Sequence, residues 1–146
     1  MTCGNPVRLD FHSSFDMLDF VQVVSDHIGR MSGLDEDAVH WVGIAVRESV
    51  INAIKHGNKH DASKRVHVEF MQLDGSAPGI AIRVRDEGPG FDPQSLPDCC
   101  APENILKSSG RGIFLIRNFM DEMVLQRAPQ GGMEVVMVKR AQPQRV

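Results

Sequence analysis

The apolar residues of this chain repeat at a helical spacing before residue 57 and at a strand spacing after residue 65. The helical stripe includes Met17, Val21, Val24 and Ile28, and the alternating residues include Val66, Val68, Phe70, Ile80, Ile82 and Val84. A three-to-four-residue period buries one side of a helix, whereas a two-residue period buries one face of a strand. The pattern therefore predicts an α+β fold. We expect a two-layer α/β sandwich with its helices on one face of a mixed, mainly antiparallel sheet.

Turn and cap residues between these segments predict the order of the elements. Ser13, with Asp16 three residues later, is expected to cap a first helix, and Asp35 to cap a second helix that runs to Gly57. The stretches "DGSAPG" and "APQGG" are typical of hairpin connections. The predicted order is strand, helix, helix, strand, strand, long loop, helix, strand, strand. We expect one domain across residues 1–146.

The bulk composition excludes several classes of function. A formal net charge of -3 and a pI near 6.0 argue against direct binding of nucleic acid. The start "MTCGNPVRLDF" lacks the features of a secretory signal and the sequence has no apolar run long enough for a membrane span, so we expect a cytoplasmic protein. Cys3, Cys99 and Cys100 suit no disulfide framework and are expected to be reduced thiols; the alternative is a metal-binding or redox role for the adjacent pair.

Three polar residues recur every four positions in the stretch "RESVINAIKHG". They are Glu48, Asn52 and His56, and they fall on a helix that is apolar on most of its other sides. A carboxylate in such a place needs a metal, a ligand or a hydrogen-bonding network. The residues alone leave another interpretation open, in which Glu48 and Lys55 lie on a solvated face and His56 only precedes the helix end.

Two glycine motifs follow. In "IAIRVRDEGPGF", Asp86 continues the inward alternation of a strand, and Gly88 and Gly90 allow the backbone to approach a neighbour closely. In "SSGRGIFLI", Gly110 and Gly112 precede a helix start, where free backbone N–H groups suit phosphate. The P-loop and dinucleotide-binding patterns are both missing. Taken singly, either glycine motif could be an ordinary turn.

The order of the three motifs is more informative than any one of them. "ESVINAIKHG", then "DEGPGF", then a long loop and "SSGRGIFLIRNFMDEM", resembles the GHKL ATPase superfamily, the fold of histidine-kinase catalytic domains, gyrase-type ATPases and Hsp90. Within that superfamily the chain is most similar to the bacterial anti-sigma-factor serine/threonine kinases. The resemblance spans nearly the whole chain and implies the histidine-kinase-like ATPase fold.

The resemblance implies that ATP and Mg²⁺ are the cofactors. Asn52 would coordinate the Mg²⁺ that bridges the phosphates, as an oxygen ligand suited to a hard cation. Glu48 would be the catalytic base that accepts the proton of the attacking hydroxyl. His56 would lie beside the nucleotide, with a structural role at the helix end.

The remaining site residues implied by the resemblance fall on the two glycine motifs. Asp86 would accept a hydrogen bond from the adenine amino group, with Gly88 and Gly90 beside the base. Gly110, Arg111 and Gly112 would form the lid around the phosphates.

Two further residues bear on the details of this site. Lys107 and Arg111 could meet the γ-phosphate or be solvated charges. Met133 occupies the position in the last hairpin where many relatives carry a threonine that reaches toward adenine, which puts base recognition in question.

The implied function is a partner-switching kinase that binds a sigma factor and phosphorylates a small antagonist (anti-anti-sigma) protein. Similar kinases dimerise, so a homodimer is a further expectation. One alternative is a non-catalytic binding module whose shape depends on nucleotide. Another is a stand-alone catalytic domain of the histidine-kinase type, which would need a phosphoacceptor histidine on a separate partner.

Overall fold

In the computed structural model of this protein, residues 5–90 and 117–141 are described. These residues form five strands and two α-helices, in the order β1 (Val7–His12), α1 (Leu18–Met31), α2 (Glu36–Asn52), β2 (Arg65–Leu73), β3 (Gly79–Arg85), β4 (Glu122–Arg127) and β5 (Met133–Arg140). A 3₁₀ turn at Phe15–Met17 leads into α1, and a π-helical turn at Ala53–Gly57 follows α2. Residues 117–119 are helical. The predicted order of elements is confirmed for the described part of the chain.

The strands form one sheet in the order β1-β2-β3-β5-β4, and every pairing among these described strands is antiparallel. The mixed character that we expected is therefore not seen among them. The chain runs from β3 to the edge strand β4 and returns as β5, which lies between β3 and β4. As a result, the first residues of β5 lie beside the last residues of β3, with Val84 opposite Val135 and Arg85 opposite Glu134.

One face of the sheet carries the apolar residues, and both helices pack on that face. The alternating side chains that were predicted to point inward are all buried: Val66, Val68, Phe70, Ile80, Ile82 and Val84. The helical side of this core comes from the predicted stripe of the second helix, in which the buried residues include Val39, Val42, Val46 and Val50 of α2 and Ala53 of the π-helical turn. The two-layer α+β sandwich is confirmed.

The cap of the second helix is as predicted, but that of the first helix differs. Asp35 accepts a hydrogen bond from the backbone N–H of Ala38 at 2.8 Å. Before α1, Ser14 rather than Ser13 is the capping residue, because its hydroxyl accepts from the N–H of Asp16 at 3.2 Å. Ser13 is buried instead, and its hydroxyl donates to the carbonyl of Lys64 at 3.0 Å. It therefore joins the end of β1 to the start of β2.

The second helix also ends differently from the prediction. Regular α-helix stops at Asn52, and the predicted continuation to Gly57 is a single π-helical turn. The N–H of Asn58 closes this turn on the carbonyl of Ala53 at 2.7 Å. A π turn inserts an extra residue into a helix and is frequent at functional sites. Here it determines where Gly57 and Asn58 lie relative to the sheet.

In the part of the chain that the structure describes, neither helix combines the length and apolar character that crossing a membrane would require.

We predict that Val68→Ala lowers the free energy of unfolding by about 2 kcal/mol, because it removes two methyl groups from the closed core and leaves a cavity. Val68 is 1% exposed on β2, whereas Val124 on the edge strand β4 is 51% exposed. The control Val124→Ala should change the same quantity by less than about 0.5 kcal/mol. Urea unfolding followed by circular dichroism measures both, and equal losses would contradict the assigned core.

Candidate functional site

Two of the three polar residues predicted on the second helix share one half-buried strip of α2. Glu48 and Asn52 are one helical turn apart and each is of intermediate exposure. No described residue forms a hydrogen bond or ion pair with either side chain. A carboxylate and an amide on a half-buried strip, with no partner among the described residues, are available to bind a ligand.

The third residue of that series lies elsewhere. His56 is in the π-helical turn and is exposed, so it does not share the half-buried position of Glu48 and Asn52. Its imidazole forms no hydrogen bond with any described residue. The structural role predicted for the helix end is carried by another residue, Asn58, and a contact of His56 with nucleotide stays a prediction.

Asp86 follows β3 directly and is 5% exposed, in agreement with its predicted inward direction. Its Oδ1 accepts from the backbone N–H of Gly88 at 2.9 Å and from that of Met133 at 3.1 Å. Its own N–H donates to the carbonyl of Met133 at 3.0 Å. No described group donates to Oδ2. The carboxylate is therefore held by one oxygen and keeps the other as an acceptor.

Two glycines lie against Asp86 and the turn that follows it. A Cβ added to Gly57, at the end of the π turn, would collide with the carboxylate oxygen Oδ2. A Cβ added to Gly88 would collide with the carbonyl oxygen of Gly57. Glycine at both places lets the end of the second helix lie directly against the turn after β3. Gly88 thus allows the close approach predicted from the sequence, although it does so toward Gly57.

The backbone of the last hairpin also contacts Asp86. Met133, at the position where the resemblance implied a threonine, pairs with Asp86 through both its N–H and its carbonyl. Its side chain is buried, and its sulfur lies 3.7 Å from the position that a Cβ on Gly90 would take. Gly90 has a φ of 75°, a positive value that glycine adopts readily. Threonine is therefore not needed to join the hairpin to Asp86.

Asn58 is the residue of this region that the sequence analysis missed. It is 1% exposed, and its side chain hydrogen-bonds to three other segments of the chain. The only signal in the sequence is a polar residue directly after the glycine that ends the helix, and such a residue is also ordinary in an exposed loop.

Glu87 extends the network on the solvent side of this turn. Its carboxylate accepts from His67 Nε2 at 2.8 Å and from the N–H of Arg65 at 2.8 Å. These two hydrogen bonds, in that order of importance, lower the pKa of Glu87 below its ordinary value of 4.5. The other ring nitrogen of His67 contacts Asp10. The residue after Asp86 is thus anchored to β1 and β2.

An aromatic pair lies further along the same side of α2. Trp41, about two turns before Glu48, stacks on Phe119 with the ring centroids 4.0 Å apart and the planes at 9°. Phe119 belongs to the short helical stretch that precedes β4. This stack packs the chain that leads into β4 against the strip of α2 that carries Glu48 and Asn52.

Several predicted site residues lie outside the described residues. They are Gly110, Arg111 and Gly112 of the lid motif, together with Lys107 and the three cysteines Cys3, Cys99 and Cys100. Within the described ranges no group of three His, Cys, Asp or Glu residues could hold a metal ion. A single amide oxygen, as at Asn52, suits Mg²⁺ that is held mainly by phosphate and water.

Comparison with known families and sequences gives a consistent result. The family described as Histidine kinase-like ATPase domain matches residues 16–139. The serine-protein kinase RsbW of Staphylococcus aureus is 28% identical over 147 residues, covering 96% of this chain and 89% of that protein. The anti-sigma F factor of Clostridium novyi (strain NT) is 28% identical over 142 residues, covering 94% of this chain and 95% of that protein.

Two solved structures share the fold. The crystal structure of the RsbU and RsbW domains of a Mycobacterium tuberculosis protein superposes with a TM-score of 0.66 at 15% identity, covering 97% of this chain and 34% of that one. The histidine kinase domain of the blue-light activated kinase of Erythrobacter litoralis EL346 gives 0.52 at 19% identity, covering 85% of this chain and 59% of that one. The present chain therefore corresponds to a part of each.

We predict that Gly57→Ala lowers the free energy of unfolding by about 1–3 kcal/mol, because the new methyl group overlaps the Asp86 carboxylate and must displace the turn. Gly29→Ala in α1 is the matched control, since its Cβ would meet only ordinary contacts at 3.5 Å. The control should be neutral or stabilise the protein by up to about 1 kcal/mol. Urea unfolding distinguishes them, and equal stability of the two variants would contradict the close contact at Gly57.

We also predict a pH dependence from Glu87. A carboxyl whose pKa is lowered by folding stabilises the protein above its ordinary value of 4.5, and this contribution is lost as the pH falls through the lowered value. Glu87→Gln should therefore be less stable than wild type at neutral pH and lose less stability on acidification. Unfolding free energies measured between about pH 6 and pH 3 test this. Parallel curves for the two proteins would contradict it.

Proposed function

The chain belongs to the histidine kinase-like ATPase domain family, and on that basis we propose that it is an ATP-dependent serine/threonine protein kinase. Membership of an ATPase domain family implies ATP binding. The proposal of kinase activity rests on Glu48 and Asn52. They lie one turn apart on a half-buried strip of α2 and have no partner among the described residues. Binding of ATP needs a hydrogen-bond acceptor for the base and groups that hold the phosphates, but it does not need a carboxylate beside those groups. Such a carboxylate suits proton transfer, and Glu48 therefore favours an enzyme.

The residues described around Asp86 fit an adenine nucleotide. Asp86 Oδ2 has no described donor, so it can accept from an exocyclic amino group such as that of adenine. Asn52 offers an oxygen of the kind that Mg²⁺ prefers. We propose that Gly110, Arg111 and Gly112 form the lid around the phosphates, as the resemblance implies, and that Gly88 and Gly90 lie beside the base. Mg-ATP would supply the phosphoryl group and the charge that stabilises its transfer.

Glu48 is the proposed general base. The hydroxyl oxygen of a substrate serine or threonine forms a bond to the γ-phosphorus, and the bond from that phosphorus to the β–γ bridging oxygen breaks to release ADP. The hydroxyl proton passes to the Glu48 carboxylate. Phosphoryl transfer depends mainly on positioning and charge stabilisation, and a base adds typically about 10²–10⁴-fold to the rate.

The proposed partners come from the relatives. One relative is named a serine-protein kinase and another an anti-sigma F factor. We propose by analogy that this chain phosphorylates a small antagonist protein and, in its other state, binds a sigma factor. A homodimer stays a prediction; Phe20 and Val23, exposed apolar residues of α1, would suit such a contact.

We predict that Glu48→Gln lowers the rate of phosphoryl transfer by about 10²–10⁴-fold and leaves the affinity for Mg-ATP nearly unchanged, because the amide keeps the shape of the side chain but accepts no proton. The measurement is transfer of label from γ-labelled ATP to proteins of the source organism's lysate. Glu69→Gln on the outer face of the sheet is the matched control, and it should behave as wild type.

The outcomes separate the candidate functions. Label on one small protein, with wild type and Glu69→Gln but not with Glu48→Gln, supports the kinase. Binding of ATP without Glu48-dependent label, in a lysate shown to retain the candidate antagonists, contradicts the kinase and favours a nucleotide-dependent binding module. Failure of the wild-type chain to bind ATP by calorimetry contradicts the nucleotide site itself.

A further inference from the structure

We propose that Asn58 is a positioning residue that holds Asp86 in register with the end of the second helix, and that this register determines the preference of the site for adenine. The proposal rests on the proposed nucleotide site. Asn58 touches neither the base nor the phosphates in this scheme. It acts through the peptide group that follows Asp86.

The position of Asn58 is determined by the π-helical turn. Its N–H closes the turn on the carbonyl of Ala53 at 2.7 Å, and its side chain is buried at 1% exposure. The five residues of the π-helical turn separate it from Asn52, the proposed Mg²⁺ ligand, along one continuous helical segment. Asn58 is therefore fixed relative to the half of the site that would hold the phosphates.

Every polar atom of the Asn58 side chain has a partner that determines its orientation. Oδ1 accepts from the N–H of Glu87 at 2.7 Å. Nδ2 donates to the hydroxyl of Ser13 at 2.7 Å and to the carbonyl of Arg65 at 3.0 Å. A flipped amide would place its NH₂ group against the N–H of Glu87 and its oxygen against the carbonyl of Arg65. Only one orientation satisfies the site.

The bond to Glu87 controls the direction of Asp86. The N–H that Asn58 binds belongs to the peptide group joining Asp86 to Glu87, so this peptide group is tied to the end of the second helix. The preceding peptide group is tied to the last hairpin, because the N–H of Asp86 donates to the carbonyl of Met133. Backbone contact between Gly57 and Gly88 acts at the next peptide group. Asp86 is consequently linked to the helix that carries Asn52 by two short connections, one through the hydrogen-bonded side chain of Asn58 and one through backbone atoms alone.

A specificity role follows from this arrangement. Phosphates can bind at Asn52 wherever Asp86 points, but an adenine amino group reaches an acceptor only if Asp86 lies at the correct distance from those phosphates. Loss of the Asn58–Glu87 bond should therefore weaken recognition of the base and leave phosphate binding nearly intact. A merely structural role would weaken binding of both groups together.

The experiment compares Asn58→Ala, Asn58→Asp and Ser13→Ala with wild type. Ser13→Ala is the matched control, because it removes a hydrogen bond of the same cluster and leaves the Glu87 contact. Dissociation constants are measured by calorimetry for ATP and for inorganic tripolyphosphate, each with Mg²⁺, at a temperature at which circular dichroism shows every variant folded.

Asn58→Ala should lose about tenfold in ATP affinity, as expected for one buried hydrogen bond, and less than about threefold in tripolyphosphate affinity. Ser13→Ala should keep the wild-type ratio of the two affinities. Asn58→Asp retains an acceptor for the N–H of Glu87. Its ratio of ATP affinity to tripolyphosphate affinity should therefore lie closer to the wild-type ratio than that of Asn58→Ala. Equal losses for both ligands in Asn58→Ala, an unchanged ATP affinity, or the same altered ratio in Ser13→Ala would overturn the proposal.

A second measurement judges the positioning without nucleotide. Amide hydrogen exchange at Glu87 should become faster in Asn58→Ala and stay close to wild type in Ser13→Ala. Unchanged protection of Glu87 in Asn58→Ala overturns the positioning role. If the wild-type chain binds neither ligand, the proposed nucleotide site fails and the adenine preference with it, whereas the exchange result still decides whether Asn58 holds the Asp86 peptide.

Discussion

The contact between the end of the second helix and the turn after β3 is the constraint on which the rest of the site depends. Gly57 and Gly88 meet through backbone atoms, and Asp86 lies against them with no room for a Cβ on either glycine. This contact brings a helix that carries polar residues on a half-buried strip to the point where the central strand ends. The helical segment that carries Asn52 and the turn that carries Asp86 are distant in sequence, and they thereby lie against each other.

The two faces of the sheet differ in polarity, since one is apolar and covered by helices and the other is lined largely by charged residues. The helix-covered face is apolar up to Asp86, where the carboxylate continues the inward alternation. The opposite face contains a groove of about 480 Å³ lined largely by charged residues, several of which pair with one another, as Arg8 does with Glu69 and Arg83 with Glu134. The Arg8–Glu69 pair is of the kind found on a solvated face, where a pair contributes little to stability. Glu134 is 4% exposed, and its carboxylate is paired with Arg83. The proposed nucleotide site lies on the other side of the sheet, at Asp86.

Much of this architecture could be predicted from the sequence, because the period of apolar residues determines which side of each element is buried. The inward direction of Asp86 and the shared strip of Glu48 and Asn52 follow from that period alone. The π turn does not, since it depends on how the helix end packs against the sheet. Asn58 was missed for the same reason, because three partners distant in sequence give the residue its role.

The measurement that tests the account most directly is a titration of the ¹⁵N-labelled protein with Mg-ATP, followed by amide ¹H–¹⁵N spectra. The account predicts that the largest shifts among the described residues fall on the amides near Asn52 and on Gly88 and Met133, which flank the Asp86 carboxylate. Amides of the charged outer face, such as that of Arg83, should change little. Absence of shifts, or shifts concentrated on that outer face, would contradict the assignment of the nucleotide site.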